Sequence, residues 1–310
     1  MIPACITVFL WSCSVIFARR SVHQLGENLA NLSRILVAVV AMGLLAHLFG
    51  KGLGGGGFFY FFLSGVVGFG LGDIGGFYAL PRLGSRLTLL LAQCVAAPIA
   101  GLAEWLWLGT TISWVQLGAI SLILAGIVLA LAPRELPPAS RPAFIAGVGF
   151  GLLAAFGQGM GAVLSRKAYA AANALGTWTE PQGILDSVWM GATSGYQRLI
   201  GGCVLIVLFY FLSLRIRAWH TFPRAPHGAD PLASKVRLVL LTAAAGPVFG
   251  IICFQWALAT TPSAIVQPIV AMTPLAVMPL AWFFEGDRPS RRAVAGALVS
   301  VAGVALLAAG

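Results

Sequence analysis

The feature that most constrains this chain is a succession of continuous apolar runs, each about as long as a bilayer is thick. A transmembrane helix needs about 20 mostly apolar residues, and the sequence contains ten runs of that kind. They cover approximately residues 2–18, 33–50, 57–80, 84–108, 115–133, 142–164, 196–214, 237–259, 262–284 and 292–309. A membrane β-barrel would instead show short segments of alternating hydrophobicity. The sequence therefore predicts an all-α integral membrane protein with ten transmembrane helices.

Composition supports this membrane location. Of the 310 residues, 59% are hydrophobic and 9% are charged, whereas soluble domains carry about 25% charged residues. In a soluble protein the net charge of +10 would suggest a nucleic-acid partner. Here the basic residues lie mostly between the apolar runs, which is the pattern that membrane topology produces. The predicted partner is therefore the lipid bilayer and not a nucleic acid.

Small residues inside the runs also fit membrane helices. Many of the 38 glycines recur at spacings that let helices approach closely, as at Gly65, Gly68 and Gly72, or at Gly147 and Gly151. The five cysteines lie inside apolar runs without CxxC spacing, so neither a disulfide framework nor a zinc site is predicted. The first run lacks a basic leader region, and we interpret it as a retained span rather than a signal peptide.

The two halves of the sequence resemble each other. "YALPRLGS" (78–85) aligns with "WALATTPS" (256–263), Gly126 aligns with Gly303, and "LSRILV" aligns with "YQRLIG", which sets Arg34 against Arg198. Because each copy has an odd number of spans, the second copy is predicted to be inverted in the membrane, which is typical of secondary transporters. The predicted domains are residues 1–133 and 142–310, joined by a proline-rich linker at 134–141.

The second copy carries an insertion around residues 168–195, between its first two spans. Its apolar side chains recur at near-helical spacing, at Ile184, Leu185, Val188 and Trp189. An amphipathic interfacial helix and a lid over a cavity mouth are the two interpretations.

The repeat layout resembles the drug/metabolite transporter superfamily, in its EamA-like branch. That family ends a helix with a motif close to "LGERLS", which corresponds here to "LGTTIS" (108–113) and "EGDRPS" (285–290). The second copy keeps an acid and an arginine at Asp287 and Arg288, whereas the first has Thr110 and Thr111 there but retains a later glutamine, Gln116. The resemblance implies a basket of ten helices around a central substrate cavity, with the fifth and tenth helices at the periphery, and export or exchange of small metabolites.

Motifs of other protein classes are missing from the sequence. There is no HExxH or GxSxG motif and no phosphate-binding loop, so we expect neither an enzyme nor an ATP-driven pump, and no cofactor or metal. A gradient or an exchange, for which protons are one candidate, would then supply the energy. A lipid or lipid-carrier flippase of the same fold, a channel and a structural membrane protein remain alternatives, and a homodimer is one option for assembly. The predicted location is a prokaryotic cytoplasmic membrane.

The orientation of the chain has two conflicting indications. Most of the 19 lysines and arginines fall in the loops after spans 1, 3, 5, 7 and 9. The positive-inside rule then places both termini outside the cytoplasm. The family resemblance favours both termini inside.

Two acidic residues lie inside predicted spans, where ionisable groups are costly and usually face the bundle interior or a water-filled path. Asp73, within "GLGDIGGFY", is a candidate for binding an amine or shuttling a proton, and an ion pair that fixes helix packing is the alternative. Glu104 lies near a span end between Trp105 and Trp107. It is a second candidate, and snorkelling to the interface is its alternative.

Arg34 and Arg198 are predicted to stand at the starts of their spans. A guanidinium group binds carboxylate or phosphate in bidentate fashion, so substrate recognition is one interpretation, and an interfacial anchor is the other. Because the repeats are inverted, we expect the two arginines at opposite membrane faces. An ion pair between Asp73 and one of them is a further hypothesis, since an unpaired buried charge is expensive.

Uncharged side chains complete the set of candidates. The glutamines either line a cavity or bridge helices, and the aromatic residues either stack on substrate or serve packing and the interfacial belt. Gln267-Pro268 and Pro274 either break span nine to free carbonyls for substrate or simply kink it. The candidate residues are Gln93, Gln158, Gln255, Gln267, Trp11, Tyr78 and Trp256.

Overall fold

The computed structural model describes residues 1–132, 140–178, 181, 183–215, 231–285 and 289–309. The described residues are almost entirely helical and include no β-strand. The helices are α1 (Ile2–Leu25), α2 (Glu27–Phe49), α3 (Phe58–Gly65), α4 (Gly72–Cys94), α5 (Ala96–Leu108), α6 (Trp114–Leu131), α7 (Arg141–Ala174), α8 (Ile184–Arg215), α9 (Leu232–Ala243), α10 (Phe249–Thr260), α11 (Ser263–Val270), α12 (Thr273–Glu285) and α13 (Arg291–Ala309). Two π-helical segments continue the chain, Val66–Leu71 between α3 and α4 and Ala244–Val248 between α9 and α10.

The prediction of an all-α membrane protein is confirmed. Among the described residues, 9 segments are long and apolar enough to cross a membrane. The apolar part of α1, Ile2–Ala18, is shorter than these. The count of ten transmembrane helices therefore stays a prediction.

The predicted bounds of two spans are wrong, because the insertion lengthens both neighbouring helices. α7 continues to Ala174 rather than ending near residue 164, and α8 begins at Ile184 rather than at residue 196. Ile184, Leu185, Val188 and Trp189 thus form the start of α8 and not a separate interfacial helix or lid. The linker at 134–139, and Asp287 and Arg288 of the second helix-ending motif, lie outside the described residues.

The inserted part of the chain packs over the glycine-rich loop that joins α2 to α3. Gln197 donates from its amide to the carbonyls of Gly52 at 2.9 Å and Gly54 at 2.8 Å. Thr193 accepts from the Lys51 backbone N–H, and the Lys51 ammonium lies over the Trp178 ring. Thr193, which precedes the predicted run at 196–214, therefore has a polar partner, so the extra turns of α8 pack on this loop.

Close packing through glycine, predicted from the spacings of small residues, is confirmed. A Cβ at Gly65 would lie 1.7 Å from the Arg198 carbonyl oxygen, and one at Gly201 would lie 2.0 Å from that of Phe62. α3 and α8 thus contact each other through their backbones. Gly72 and Gly157 make the same kind of approach between α4 and α7.

Each long helix packs on a particular set of neighbours. α1 contacts α9, α10 and α12, while α7 contacts α3, α4 and α5. α2 packs on α8, and α6 packs on α13. In the last pair, Gly126 lies against Gly296 and Ser300, and Gly303 lies against Ala119 and Ile123, so the two helices are antiparallel.

The helical structure is interrupted at two places, at Gly84 within α4 and between α11 and α12. Gly84 has φ 73° inside α4, a conformation that favours glycine, so α4 is kinked there, where the fourth predicted span begins. The ninth predicted span is divided between α11 and α12, next to Pro274. At this second break, hydroxyl groups donate hydrogen bonds to backbone carbonyls. Thr273 Oγ1 donates to Val270 O at 2.7 Å, and Ser12 Oγ donates to Thr273 O at 3.1 Å. The break is therefore stabilised by the protein's own side chains.

Candidate functional site

Arg198 lies deep inside the helix bundle. It is 2% exposed and stands about four turns beyond the start of α8. Its guanidinium carbon is 5.1 Å from the centre of the Phe69 ring and 5.4 Å from that of Phe254. Nη1 donates to Oε1 of Gln255 at 3.4 Å, and Nε has no hydrogen-bond partner among the described residues.

Two glycines leave room for the guanidinium group. A Cβ at Gly68 would lie 2.4 Å from Nη2 of Arg198, and one at Gly161 would lie 3.1 Å from it. Gly68 belongs to the π-helical segment Val66–Leu71, and such segments are frequent at functional sites. The arginine therefore reaches from α8 into the gap between α7 and this segment.

Arg34 and Asp73 form an ion pair beside Arg198. Nη2 of Arg34 is 3.0 Å from Oδ2 of Asp73, and the two side chains are 21% and 26% exposed. Nε of Arg34 donates to Oδ1 of Asn31 at 2.8 Å. The hypothesis that Asp73 pairs with one of the two arginines therefore matches the geometry, and Arg34 is the partner.

The expected placement of the arginines at span starts on opposite faces is wrong. Arg34 lies about two turns inside α2, and Arg198 lies in the middle of α8 because that helix begins earlier than its apolar run. Both approach the stretch from Gly68 to Asp73. Arg198 packs at Gly68 and Arg34 pairs with Asp73, five residues further along the chain. The structure thus brings three charged groups into one region inside the bundle.

Glu104 and Arg166 form a second ion pair, which joins two helix ends. Glu104 is fully buried, and its Oε1 accepts from Nε of Arg166 at 3.0 Å. Its Oε2 accepts from Oγ of Ser263 at 2.5 Å and from the backbone N–H of Ala264 at 3.1 Å, at the start of α11. Arg166 also donates to the Leu258 carbonyl at 2.9 Å, near the end of α10. Glu104 does not snorkel, and it stabilises the junction of α10 and α11.

The candidate glutamines have different surroundings. Gln255 is buried beside Arg198, and its Nε2 has no hydrogen-bond partner among the described residues. Gln267, also buried, donates to the Gln158 carbonyl at 2.9 Å and so bridges α11 and α7. Oε1 of Gln93 is buried without a partner in the described part of the chain. Only Gln255 contacts the charged cluster.

The aromatic candidates lie in separate clusters. Trp11 packs on Phe254 with ring centres 5.3 Å apart, which places it behind one of the rings that cover Arg198. Tyr78 packs on Phe150 at 5.2 Å, with the Arg82 guanidinium over both rings. Trp256 is half-buried on α10. Trp11 is therefore linked to the charged cluster through Phe254.

The sequence and the fold were compared with known proteins. The model of the EamA-like transporter family matches residues 1–132 and 145–309. The chain belongs to this family. The family is part of the drug/metabolite transporter superfamily, as the sequence resemblance indicated. No curated protein matches the sequence.

Solved structures share the fold. Among 29 matching chains, one described as "Crystal structure of protein" superposes with a TM-score of 0.71 at 16% sequence identity. The match covers 98% of this chain and 94% of that one. Together with the family match, this makes the chain a multi-pass membrane transporter of the EamA-like family.

Sequence patterns do not identify several residues that contact the charged groups of this EamA-like transporter. Asn31 precedes Arg34 by three residues, a spacing at which helical side chains meet, so this contact was open to prediction. Phe69 and Phe254 are two among 19 phenylalanines and carry no local signature. Arg166, in the second ion pair, falls just after the predicted span 142–164, and the sequence gives no sign that it pairs with Glu104 of a distant helix.

Proposed function

We propose that this protein is a secondary transporter that moves a small polar metabolite by alternating access, as an exporter or exchanger in a prokaryotic cytoplasmic membrane. The observation that carries the proposal is the cluster of Arg34, Asp73 and Arg198 between α2, α4 and α8. Charges inside a membrane protein are costly and mark substrate or ion pathways. A central location between the two sequence repeats is where secondary transporters bind substrate.

The packing of the helices supports an inverted repeat. The alignment that sets Tyr78 against Trp256 also sets Val66 against Ala244, and both positions begin π-helical segments. The alignment of Gly126 with Gly303 sets Ala119 against Gly296, and the contacts are reciprocal: Gly126 lies on Gly296, and Gly303 lies on Ala119. Reciprocal contacts are the signature of a two-fold relation. Such a relation allows the two halves to exchange conformations and expose one site to either side in turn.

Asp73 is the proposed coupling residue within the cluster. It holds Arg34 at 3.0 Å, and protonation of its carboxylate or binding of an amine would release that arginine. Because protonation or amine binding offsets the cost of breaking this pair, it would favour a second arrangement of the bundle, and alternating access requires two.

Counterflow into proteoliposomes tests this proposal. Purified protein is screened against amino acids, carboxylic acids, nucleosides, sugar phosphates and cationic drugs, and one class is expected to exchange with a preloaded pool. Asp73→Asn should keep the fold and lower the exchange rate by at least about tenfold, equivalent to about 1.4 kcal/mol of lost interaction.

Asp186→Asn is the matched control, because it makes the same change at an exposed position at the start of α8. It should exchange at the wild-type rate. A wild-type rate in Asp73→Asn would remove Asp73 from the mechanism. Uptake that rises linearly with concentration and shows no counterflow would indicate a channel, and flipping of labelled lipid without exchange of solutes would indicate a flippase.

A further inference from the structure

The charges of the cluster do not cancel. Arg34 and Asp73 neutralise each other at 3.0 Å. Arg198 has no carboxylate within ion-pair distance in the part of the chain that the structure describes, although it is 2% exposed. A buried charge is normally paired, because a buried charge without a partner strongly destabilises a protein. The cluster therefore lacks one negative charge.

The buried side-chain groups of Arg198 and Gln255 that lack a hydrogen-bond partner among the described residues are both donors. A guanidinium group has five N–H donors and no acceptor. The Arg198 donor at Nη1 reaches Gln255 at 3.4 Å, while Nε and the Gln255 amide Nε2 find no acceptor among the described residues. A ligand that satisfies them must supply acceptor atoms and a negative charge. A carboxylate supplies two acceptor oxygens and one charge, and no donor that would oppose these groups.

The surroundings of the guanidinium group favour one small anionic group. Phe69 and Phe254 cover it, with ring centres 5.1 and 5.4 Å from the guanidinium carbon. Gly68 and Gly161 present no side chain to Nη2. A single negative charge balances the excess positive charge of the cluster, whereas a dianion such as phosphate would leave the cluster negative.

We propose that Arg198 and Gln255 form the binding site for the carboxylate of the transported substrate, and that this substrate is a monocarboxylate anion. The proposal rests on the transport function proposed above and names the substrate class. One carboxylate brings the charge of the cluster to zero. A zwitterionic amino acid would leave it positive, and an amine would raise it.

Gln255→Glu gives the sharpest test, because it builds the missing carboxylate into the protein with almost no change in shape. We expect this variant to fold and to unfold at a temperature no lower than the wild type. It should also lose carboxylate binding, since Arg198 is then already paired. Gln116→Glu is the matched control. It makes the same substitution in the capping box at the start of α6, where Gln116 accepts from the Ser113 backbone N–H, an interaction that a glutamate also makes.

Binding is measured on the full chain in detergent, as the ligand-induced rise of the unfolding temperature. The probes are acetate, pyruvate, benzoate and gluconate, with alanine, ethylamine, benzylamine, succinate and inorganic phosphate beside them. At least one monocarboxylate should stabilise the wild type and Gln116→Glu, and its apparent affinity should fall at least about tenfold in Gln255→Glu. Arg198→Gln should show the same loss if it folds.

Three results would overturn the proposal. The first is stabilisation of the wild type by none of the monocarboxylates. The second is unchanged stabilisation of Gln255→Glu, and the third is stronger stabilisation by alanine, the amines, succinate or phosphate. Because binding is measured without transport, carboxylate binding in a protein that fails to exchange solutes would refute the transport function and leave this site standing. Exchange of a solute of another class would refute this carboxylate site and leave the transport function standing.

Discussion

Glu104 and Arg166 join the ends of two helices that would otherwise leave polar groups unsatisfied inside the membrane protein. The first N–H groups of a helix and its last carbonyls lack partners within the helix. Glu104 accepts from the N–H of Ala264 at the start of α11, and Arg166 donates to the Leu258 carbonyl near the end of α10. The two charges also match the polarity of the helix ends that they contact. The pair therefore serves the fold, and we assign it a positioning role.

This assignment predicts a loss of stability when Glu104 is replaced by glutamine. A glutamine amide has one acceptor oxygen in place of two, so it cannot accept from all three donors, Arg166, Ser263 and Ala264. It also leaves the Arg166 charge unpaired. We expect Glu104→Gln to lower the free energy of unfolding by about 3 kcal/mol, measured by denaturant unfolding in detergent. Transport by the remaining folded protein should be unaffected.

A double-mutant cycle separates the pair from other effects of the substitution. Glu104→Gln combined with Arg166→Gln leaves no unpaired charge, so the double variant should be less destabilised than the sum of the two single variants. Strictly additive losses, or a wild-type stability of Glu104→Gln, would show that the ion pair does not hold the junction of α10 and α11.

At the scale of the helices, the glycine contacts set how closely α8 approaches α3. A Cβ at Gly201 would stand 2.0 Å from the Phe62 carbonyl oxygen, which is fixed in the backbone of α3 and cannot rotate away. Gly201→Ala must therefore push the two helices apart. We expect a loss of about 1–3 kcal/mol in the free energy of unfolding, the usual cost of overpacking, and a lower exchange rate, because Arg198 precedes Gly201 by less than one turn on α8.

Gly118→Ala is the control for this prediction. Gly118 also lies within a helix, α6, but a Cβ there would meet nothing within 4 Å. The substitution should therefore stabilise the helix slightly, by about 0.5–1 kcal/mol. Equal effects of the two variants would mean that backbone contact between α3 and α8 is not what Gly201 provides.

The existence of the helices was predictable from sequence, whereas their limits in the second half were not. Apolar runs of about 20 residues identify spans because a bilayer imposes that length. The start of α8 at Ile184 lies before its apolar run, in turns whose polar side chains make tertiary contacts, such as Thr193 with the Lys51 backbone N–H. Hydropathy does not report such contacts. The sequence therefore predicts Arg198 at the start of a helix, whereas it lies in the middle of α8.

For the candidate site, the charged residues were predictable from the sequence, whereas their arrangement was not. Asp73, Arg34 and Arg198 were open to prediction because a charge inside an apolar run stands out. Their arrangement was not, since it depends on which helices are neighbours. Phe69 and Phe254, which cover Arg198, look like any other apolar residues of a span. Gln255 became significant only once it was seen beside a charge without a carboxylate partner.

At the scale of the whole molecule, the contacts of α1 indicate that it crosses the membrane with its neighbours. Its apolar part is shorter than the other candidate spans, but its polar side chains contact the divided helices at several levels. Thr7 lies 3.5 Å from the Gly250 carbonyl, and Ser12 and Ser14 donate to the carbonyls of Thr273 and Thr242 at 3.1 and 3.0 Å. A helix that lies along α9, α10 and α12 in this way should cross with them.

If α1 crosses, the chain has ten crossings, and both ends lie on the same side of the membrane. We expect epitope tags placed before Met1 and after Gly310 to be cleaved by protease together, either in right-side-out or in inside-out vesicles. The excess of lysine and arginine in one set of loops places both ends outside the cytoplasm and predicts cleavage in right-side-out vesicles. The family resemblance places both ends inside and predicts cleavage in inside-out vesicles. A truncated chain tagged after Ala132 serves as the control. It contains five crossings, and its tag should be exposed in the opposite vesicles to the tag before Met1. Exposure of the two ends of the full chain in different vesicles would mean an odd number of crossings. That result would exclude α1 as a span and, with it, the inverted five-helix repeats on which alternating access is argued.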